Sequence, residues 1–172
     1  MIEIIIHGKA GHGAKSLGEI IASIMQKKGY FIQSFPEYGA AREGAPVKSF
    51  VRLDKQPILM HSNIENPNIV IIIDKHLIAK DKTPKNSTII LNTDSKTKDK
   101  NTFKINATEI SQRNTGNQIT NLTMLGSVAK ATKLFTLSEA ETILNEKFNT
   151  KISKETLTAN IKAMKESYEK TR

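Results

Sequence analysis

The stretch that most constrains this chain is its first: an apolar run over Ile2–Ile6, then Gly8-Lys9-Ala10-Gly11-His12-Gly13-Ala14-Lys15-Ser16, then a periodic segment ending near Gly29. It predicts a buried strand, a glycine-rich turn and a helix whose N-terminus faces whatever occupies the turn. Leu17, Ile20, Ile21, Ile24 and Met25 recur at three- and four-residue spacing, the apolar stripe of a helix packed on a sheet. Lys27, Lys28 and Gly29 supply a basic last turn and a C-terminal cap. The glycines let the backbone turn sharply, and the helix start offers unpaired N–H groups at the positive end of a dipole. Such a turn cradles an anion or a cofactor, or it makes a tight corner that binds nothing.

Two nucleotide-binding patterns come close to this stretch and miss. Gly8 and Gly13 are separated by four residues and Lys15-Ser16 follows, while Ile69–Asp74 mimics the apolar strand and acidic residue of a P-loop hydrolase. A P-loop places its lysine directly after the last glycine. Here Ala14 intervenes and turns Lys15 and Ser16 by about a hundred degrees around the helix. In the dinucleotide fingerprint, Gly11 and Gly13 fit but Ser16 stands where the third glycine belongs. A stand-alone nucleotide-binding protein is therefore the alternative function. His7, His12, His61 and His76 lie in different elements at no zinc-site spacing, so no metal site is expected. His12 sits in the cradle, where it could donate to a bound group or simply face solvent.

Further along, Tyr30–Phe35 reads as a second strand ended by Pro36, followed by a small-residue loop through Pro46. Val47–Leu53 alternates as a strand, and Asp54-Lys55-Gln56-Pro57 predicts a turn into a hairpin partner at Ile58–Met60. Ile69–Asp74 is apolar on both faces, the pattern of a central strand in a parallel sheet, and Ser87–Leu91 is similar. Residues 92–102 are polar loop, Phe103–Ile105 an edge strand, Ala107–Arg113 a short helix and Ile119–Phe135 a second amphipathic one. Ser138 with Glu141 predicts a capping box for a helix through Phe148, and Ser153 caps a last helix with the stripe Leu157, Ile161, Met164 and Tyr168. The expected fold is a single α/β domain over residues 1–172: a three-layer sandwich with a mostly parallel sheet, helices on both faces and a hairpin insertion.

Composition narrows the function classes. The 172 residues hold no cysteine, so the chain itself offers no disulfide, thiolate nucleophile or cysteine-ligated cluster. No run approaches the roughly 20 apolar residues of a membrane span, and a strand rather than a leader opens the chain, so a cytoplasmic protein without membrane contact is expected. The net charge of +9 is spread over lysines interleaved with acidic and polar residues, with few aromatics and no nucleic-acid motif. It predicts a phosphorylated cofactor or an acidic protein partner rather than nucleic acid.

Taken together, Gly8–Ser16 and Phe35–Arg52 resemble the gamma subunit of the 2-oxoacid:ferredoxin oxidoreductases, the pyruvate synthase type especially. The first turn is similar to the family's G-x-G-G-Q-G-a, with Ala10 at its usual second glycine and His12 at its usual glutamine. Ser34-Phe35-Pro36-Glu37-Tyr38-Gly39 resembles the segment after its second strand. Arg42-Glu43-Gly44-Ala45-Pro46-Val47 with Phe50-Val51-Arg52 resembles its R-x-G-x-P-V run and the strand that follows. Asn121-Leu122-Thr123-Met124-Leu125-Gly126 with Ala129-Lys130-Ala131-Thr132 resembles its N-x-x-x-L-G helix.

The resemblance implies a multi-subunit enzyme that cleaves a 2-oxo acid, pyruvate above all, on thiamine diphosphate. Electrons then pass through iron–sulfur clusters to ferredoxin, and the acyl group is captured by coenzyme A. Thiamine diphosphate, magnesium and the clusters would belong to other subunits, and this chain would carry no catalytic residue of its own. Gly11, His12, Gly13, Lys15, Ser16, Glu37, Tyr38, Arg42 and Arg52 are the residues expected to line a cofactor or substrate site shared with those subunits.

Overall fold

The opening run forms strand β1 (Ile2–Lys9) of a computed structural model that describes residues 1–37, 44–77, 86–95 and 101–172. After it come α1 (Ala14–Lys27), β2 (Phe31–Pro36), β3 (Pro46–Asp54), β4 (Ile69–Ile72), a 3₁₀ turn (Lys75–Leu77), β5 (Thr88–Asn92) and β6 (Thr102–Ile105). The helices α2 (Ala107–Thr115), α3 (Asn121–Thr132), α4 (Leu137–Phe148) and α5 (Lys154–Lys170) complete the chain. The strands form one six-stranded sheet in the order β2-β3-β1-β4-β5-β6. β1, β4, β5 and β6 run parallel, and β3 is antiparallel to both of its neighbours. The α/β class and the mostly parallel sheet are those the sequence predicts.

Strand alternation sends two sets of side chains to opposite faces. Ile4, Ile6, Val51, Leu53, Ile71 and Ile90 pack under the helices in the main core. Ile5 and Phe50 meet Ile64 on the other face, where Val70, Ile72 and Leu91 meet Leu77 of the 3₁₀ turn. The sequence predicts helices on both faces, and the described residues place them unequally. Among the described residues, all five α-helices bury their apolar residues in the one cluster, and the opposite face carries the 3₁₀ turn and the extended segment before β4. The layers are sheet, inner helices α1 and α3, and outer helices α4 and α5, with α2 beside α5.

Small residues set how closely these layers meet. A Cβ on Gly18 would lie 2.9 Å from Ser49 Oγ and 3.2 Å from Val51 Cγ2, so the α1 backbone rests directly on these β3 side chains with none of its own between. Gly18 thus performs, two residues later, the close helix-to-strand packing that Ser16 could not supply. Gly126 does the same for α3 against the Met164 carbonyl of α5, and Ser127 Oγ lies 2.6 Å from Ser167 Oγ beside it.

Two further expectations are corrected. Ile58–Met60 is not a strand, because both edges of β3 are already taken, one by β1 and the other by β2. The antiparallel pair is instead β2 with β3, and residues 55–68 cross the sheet, held where Gln33 Nε2 donates to the carbonyls of Ile58 (3.4 Å) and Met60 (2.8 Å). The capping box of α4 is Thr136 with Glu139, two residues before Ser138 with Glu141. Both pairs satisfy the motif, and burial of Phe135 just ahead of Thr136 fixes the earlier start.

Candidate functional site

In a parallel sheet, ligands gather beyond the carboxyl ends of the strands, at the point where chain connections leave in opposite directions. Here β1 connects through α1 to β2 on one side, and β4 lies on the other. The glycine turn stands at that point. Gly11 and Gly13 take left-handed backbone conformations, with φ of 87° and 83°, and the His12 N–H donates to the Lys9 carbonyl at 3.0 Å. Gly13 is the N-cap of α1 and has no side chain to satisfy the first N–H groups, and no acidic residue occupies the first turn. A Cβ on Gly13 would fall 2.5 Å from Asn121 Nδ2, so the first residue of α3 packs directly on the turn.

The turn divides two clefts. The smaller, of about 390 Å³, is lined by Gly11, Gly13, Lys15, Ser16, Glu37 and Lys48. The larger, of about 750 Å³, is lined by His12, Asp74, His76, Asn92, Glu109 and Arg113 among others. Of the residues expected to share a site, five therefore meet in one cleft while His12 faces the other. Lys9 borders both.

Arg52 joins neither. It is fully buried on the sheet face away from the helices, where Nε meets Glu3 Oε1 at 2.9 Å, Nη1 meets Gln33 Oε1 at 3.3 Å and Nη2 meets the Ser62 carbonyl at 2.7 Å. Each of its three nitrogens has a partner within the chain and none reaches solvent, which corrects its assignment as a cofactor contact. Tyr38 and Arg42 lie outside the described residues. Gly44 and Ala45, which follow them in the chain, are tied to the turn: the Ala10 N–H donates to the Ala45 carbonyl at 2.9 Å, and the Gly44 N–H donates to the Ala10 carbonyl at 3.4 Å.

The P-loop alternative fails on geometry as well as register. The Lys15 side chain is 58% exposed and lies 3.7 Å from Glu19 of its own helix, and Asp74 is paired with Lys9 at 2.8 Å. Burial pushes the Asp74 carboxyl up, but hydrogen bonds from Lys9 and the His76 N–H more than offset it and hold the group below the ordinary carboxylate range. Among the described residues, no cluster of three His, Cys, Asp or Glu side chains could hold a metal.

Lys9, Asn92 and Asn121 escape a reading of the sequence as site residues. Asn92, at the end of β5, donates to the Ile73 carbonyl (2.7 Å) and to Thr108 Oγ1 (2.9 Å) and accepts from the N–H of Ala107 (2.9 Å). It thereby joins β4, β5 and α2 at the floor of the larger cleft. A polar residue closing an otherwise apolar parallel strand is the signal that marks it, because strand ends at this edge face the ligand side.

Known proteins match the chain along its whole length. The family described as Pyruvate ferredoxin/flavodoxin oxidoreductase matches residues 3–170. The "Pyruvate/ketoisovalerate oxidoreductases common subunit gamma" of Pyrococcus abyssi is 35% identical over 184 aligned positions, covering 99% of this chain and 97% of that protein. "Pyruvate synthase subunit PorC" of Thermotoga maritima is 32% identical, with 99% of this chain and 94% of that protein covered. The crystal structure of the Thermotoga maritima pyruvate oxidoreductase subunit PORC superposes with a TM-score of 0.84 at 29% identity, over 99% of this chain and 97% of that one. A 2-oxoglutarate:ferredoxin oxidoreductase of Magnetococcus marinus has the same fold, with a TM-score of 0.79 at 18% identity, within 30% of its much longer chain. The chain belongs to the pyruvate ferredoxin/flavodoxin oxidoreductase family, as a chain of the gamma type.

Proposed function

We propose that this chain works as the gamma subunit of a cytoplasmic, multi-subunit 2-oxoacid:ferredoxin oxidoreductase acting on pyruvate. In that assembly its glycine turn forms one wall of a site completed by companion subunits. The end-to-end correspondence with gamma chains carries the reading: 99% of this chain aligns with 97% of the Pyrococcus abyssi subunit. No helix among the described residues is long and apolar enough to cross a membrane.

The cofactors of such an enzyme fit this chain unequally. Iron–sulfur clusters need cysteine thiolates, and the sequence has none. The diphosphate-bound magnesium of thiamine diphosphate needs oxygen ligands held together, and the described residues offer no carboxylate cluster for it. Both groups are therefore assigned to companion chains. Coenzyme A is different, because its phosphates need only cationic and N–H donors. Lys15, Ser16 and the uncapped start of α1 provide these on the smaller cleft, with no acidic residue in the first helical turn to oppose them. When bound, coenzyme A supplies the thiol that accepts the acyl group. The chain's part is to hold the phosphate end, while His12 offers a ring donor to the larger cleft.

Co-purification tests the assembly: the native protein should elute with a cysteine-rich chain and a thiamine-binding chain. A free monomer that binds ATP or NAD would overturn the reading. For the site, Lys15→Ala and His12→Ala in the reconstituted complex should raise the coenzyme A concentration needed for half-maximal rate. An unchanged dependence would leave the turn as scaffold.

A further inference from the structure

Lys9 borders both clefts, yet its ammonium points at neither as a free donor. Its Nζ lies 2.8 Å from Asp74 Oδ2, and the other oxygen of Asp74 accepts the His76 N–H at 2.9 Å. The backbone of the same residue closes the turn, since the Lys9 carbonyl takes the His12 N–H, and its neighbour Ala10 is tied to Ala45. One residue thus fastens the end of β1 to the end of β4 through its side chain and sets the first step of the glycine turn through its carbonyl.

We propose that Lys9 and Asp74 are a positioning pair that sets the Gly11–Gly13 turn, and through it Lys15, Ser16 and His12, against the ligand. The proposal rests on the reading that this turn lines a ligand site. Two alternatives make different physical demands. A lysine recruited to bind an anion would keep its ammonium available, whereas Lys9, 30% exposed, turns its ammonium onto the Asp74 carboxylate, whose side chain is 12% exposed. A pair kept only for stability would be a poor device here, because partly exposed ion pairs contribute little to folding. Placement is where such a pair has leverage, since small displacements of catalytic or binding groups cost up to about a hundredfold in rate.

The test uses the assembled oxidoreductase carrying Lys9→Met, Asp74→Asn, both together, or Lys9→Arg, with kcat and KM measured separately for pyruvate and coenzyme A. The expected result is a fall of about tenfold in kcat/KM for coenzyme A in each single variant. The double variant should lose no more than the worse single, Lys9→Arg should recover most of the activity, and the unfolding temperature and subunit composition should hardly move. Additive losses would overturn the pairing, as would rates unchanged in every variant. A large KM effect from Lys9→Met with Asp74→Asn at the wild-type level would show that Lys9 binds the ligand directly, which also overturns it. The underlying reading is separable: if Lys15→Ala and Ser16→Ala leave the coenzyme A dependence untouched, the turn is no ligand wall. If those variants respond and the Lys9 and Asp74 variants do not, only the positioning pair fails.

Discussion

Glu3 and Arg52 face each other across β1 and β3, with the carboxylate 2.9 Å from the guanidinium Nε and the arginine wholly removed from solvent. Gln33 stands opposite Arg52 on the next strand, so a polar row crosses three strands beneath an otherwise apolar cover of Phe35, Phe50 and Ile64. The third arm of the fork takes the Ser62 carbonyl and anchors the irregular segment before β4. An arginine that reads as an interface donor is therefore the pin of the helix-free face.

Removing one partner of a buried ion pair costs about 3–5 kcal/mol, because the other is left without compensation. Arg52→Ala should destabilise the chain by about that amount in a denaturant titration. Arg52→Lys should recover little of it, because an ammonium cannot serve three acceptors in a planar fork. A loss below about 1 kcal/mol for Arg52→Ala would mean that the row is solvated.

Gly126→Ala tests the contact between α3 and α5. Alanine favours a helix over glycine by about 1 kcal/mol. Its methyl group would overlap the Met164 carbonyl, a backbone atom that cannot swing aside. Overpacking of this kind costs about 1–3 kcal/mol, so net destabilisation is expected despite the better propensity. A rise in unfolding temperature would show that the helices part freely.

At the turn, Gly13→Ala meets two obstacles, a left-handed backbone and the Asn121 side chain. The first alone costs about 1–2 kcal/mol. Adding Asn121→Ala should relieve the second and recover part of the loss. Stabilities that simply add across the two sites would refute the contact.

The helix caps make a sharper comparison. Thr136 accepts the Glu139 N–H at 3.2 Å, and Glu139 accepts the Thr136 N–H at 2.7 Å. Thr136→Ala should cost about 1 kcal/mol, and Ser138→Ala, inside the helix, should be near neutral. The reverse order would move the start of α4 to Ser138.

Acid should weaken the clasp between α2 and α5. Glu166 receives hydrogen bonds from Lys170 and Asn114 and lies beside Arg113; although burial opposes its charge, its carboxyl is held at about 2 instead of the ordinary 4.5. A depressed acid stabilises the fold above its unfolded pKa, and the contribution is lost as pH falls through the folded one. The unfolding temperature should therefore drop between pH 4.5 and about 2, and Glu166→Gln should flatten that slope. Equal slopes for the two proteins would remove Glu166 from the account.

Element order and type were legible because their signals are local. The stripe from Leu17 to Met25, the doubly apolar Ile69–Ile72 and the Ser153 cap each lie within one element and appear where the sequence places them. The hairpin at Ile58–Met60 failed for the opposite reason: a strand needs an open edge, and whether β3 has one depends on β1 and β2, not on residues 54–60.

By itself the sequence determined a strand, a glycine turn and a helix at the start, their continuation into an α/β chain, and the family resemblance. Hydrophobic period, positive-φ glycine and motif spacing are written along the backbone. Only the tertiary structure decided that the turn separates two clefts, that Lys9 is spent on Asp74, and that Arg52 is buried against Glu3. The physical reason is that periodicity shows which side of an element is apolar, while the partner of a charge is chosen by strand order. That order brings residue 74 to residue 9 and residue 52 to residue 3 across the sheet.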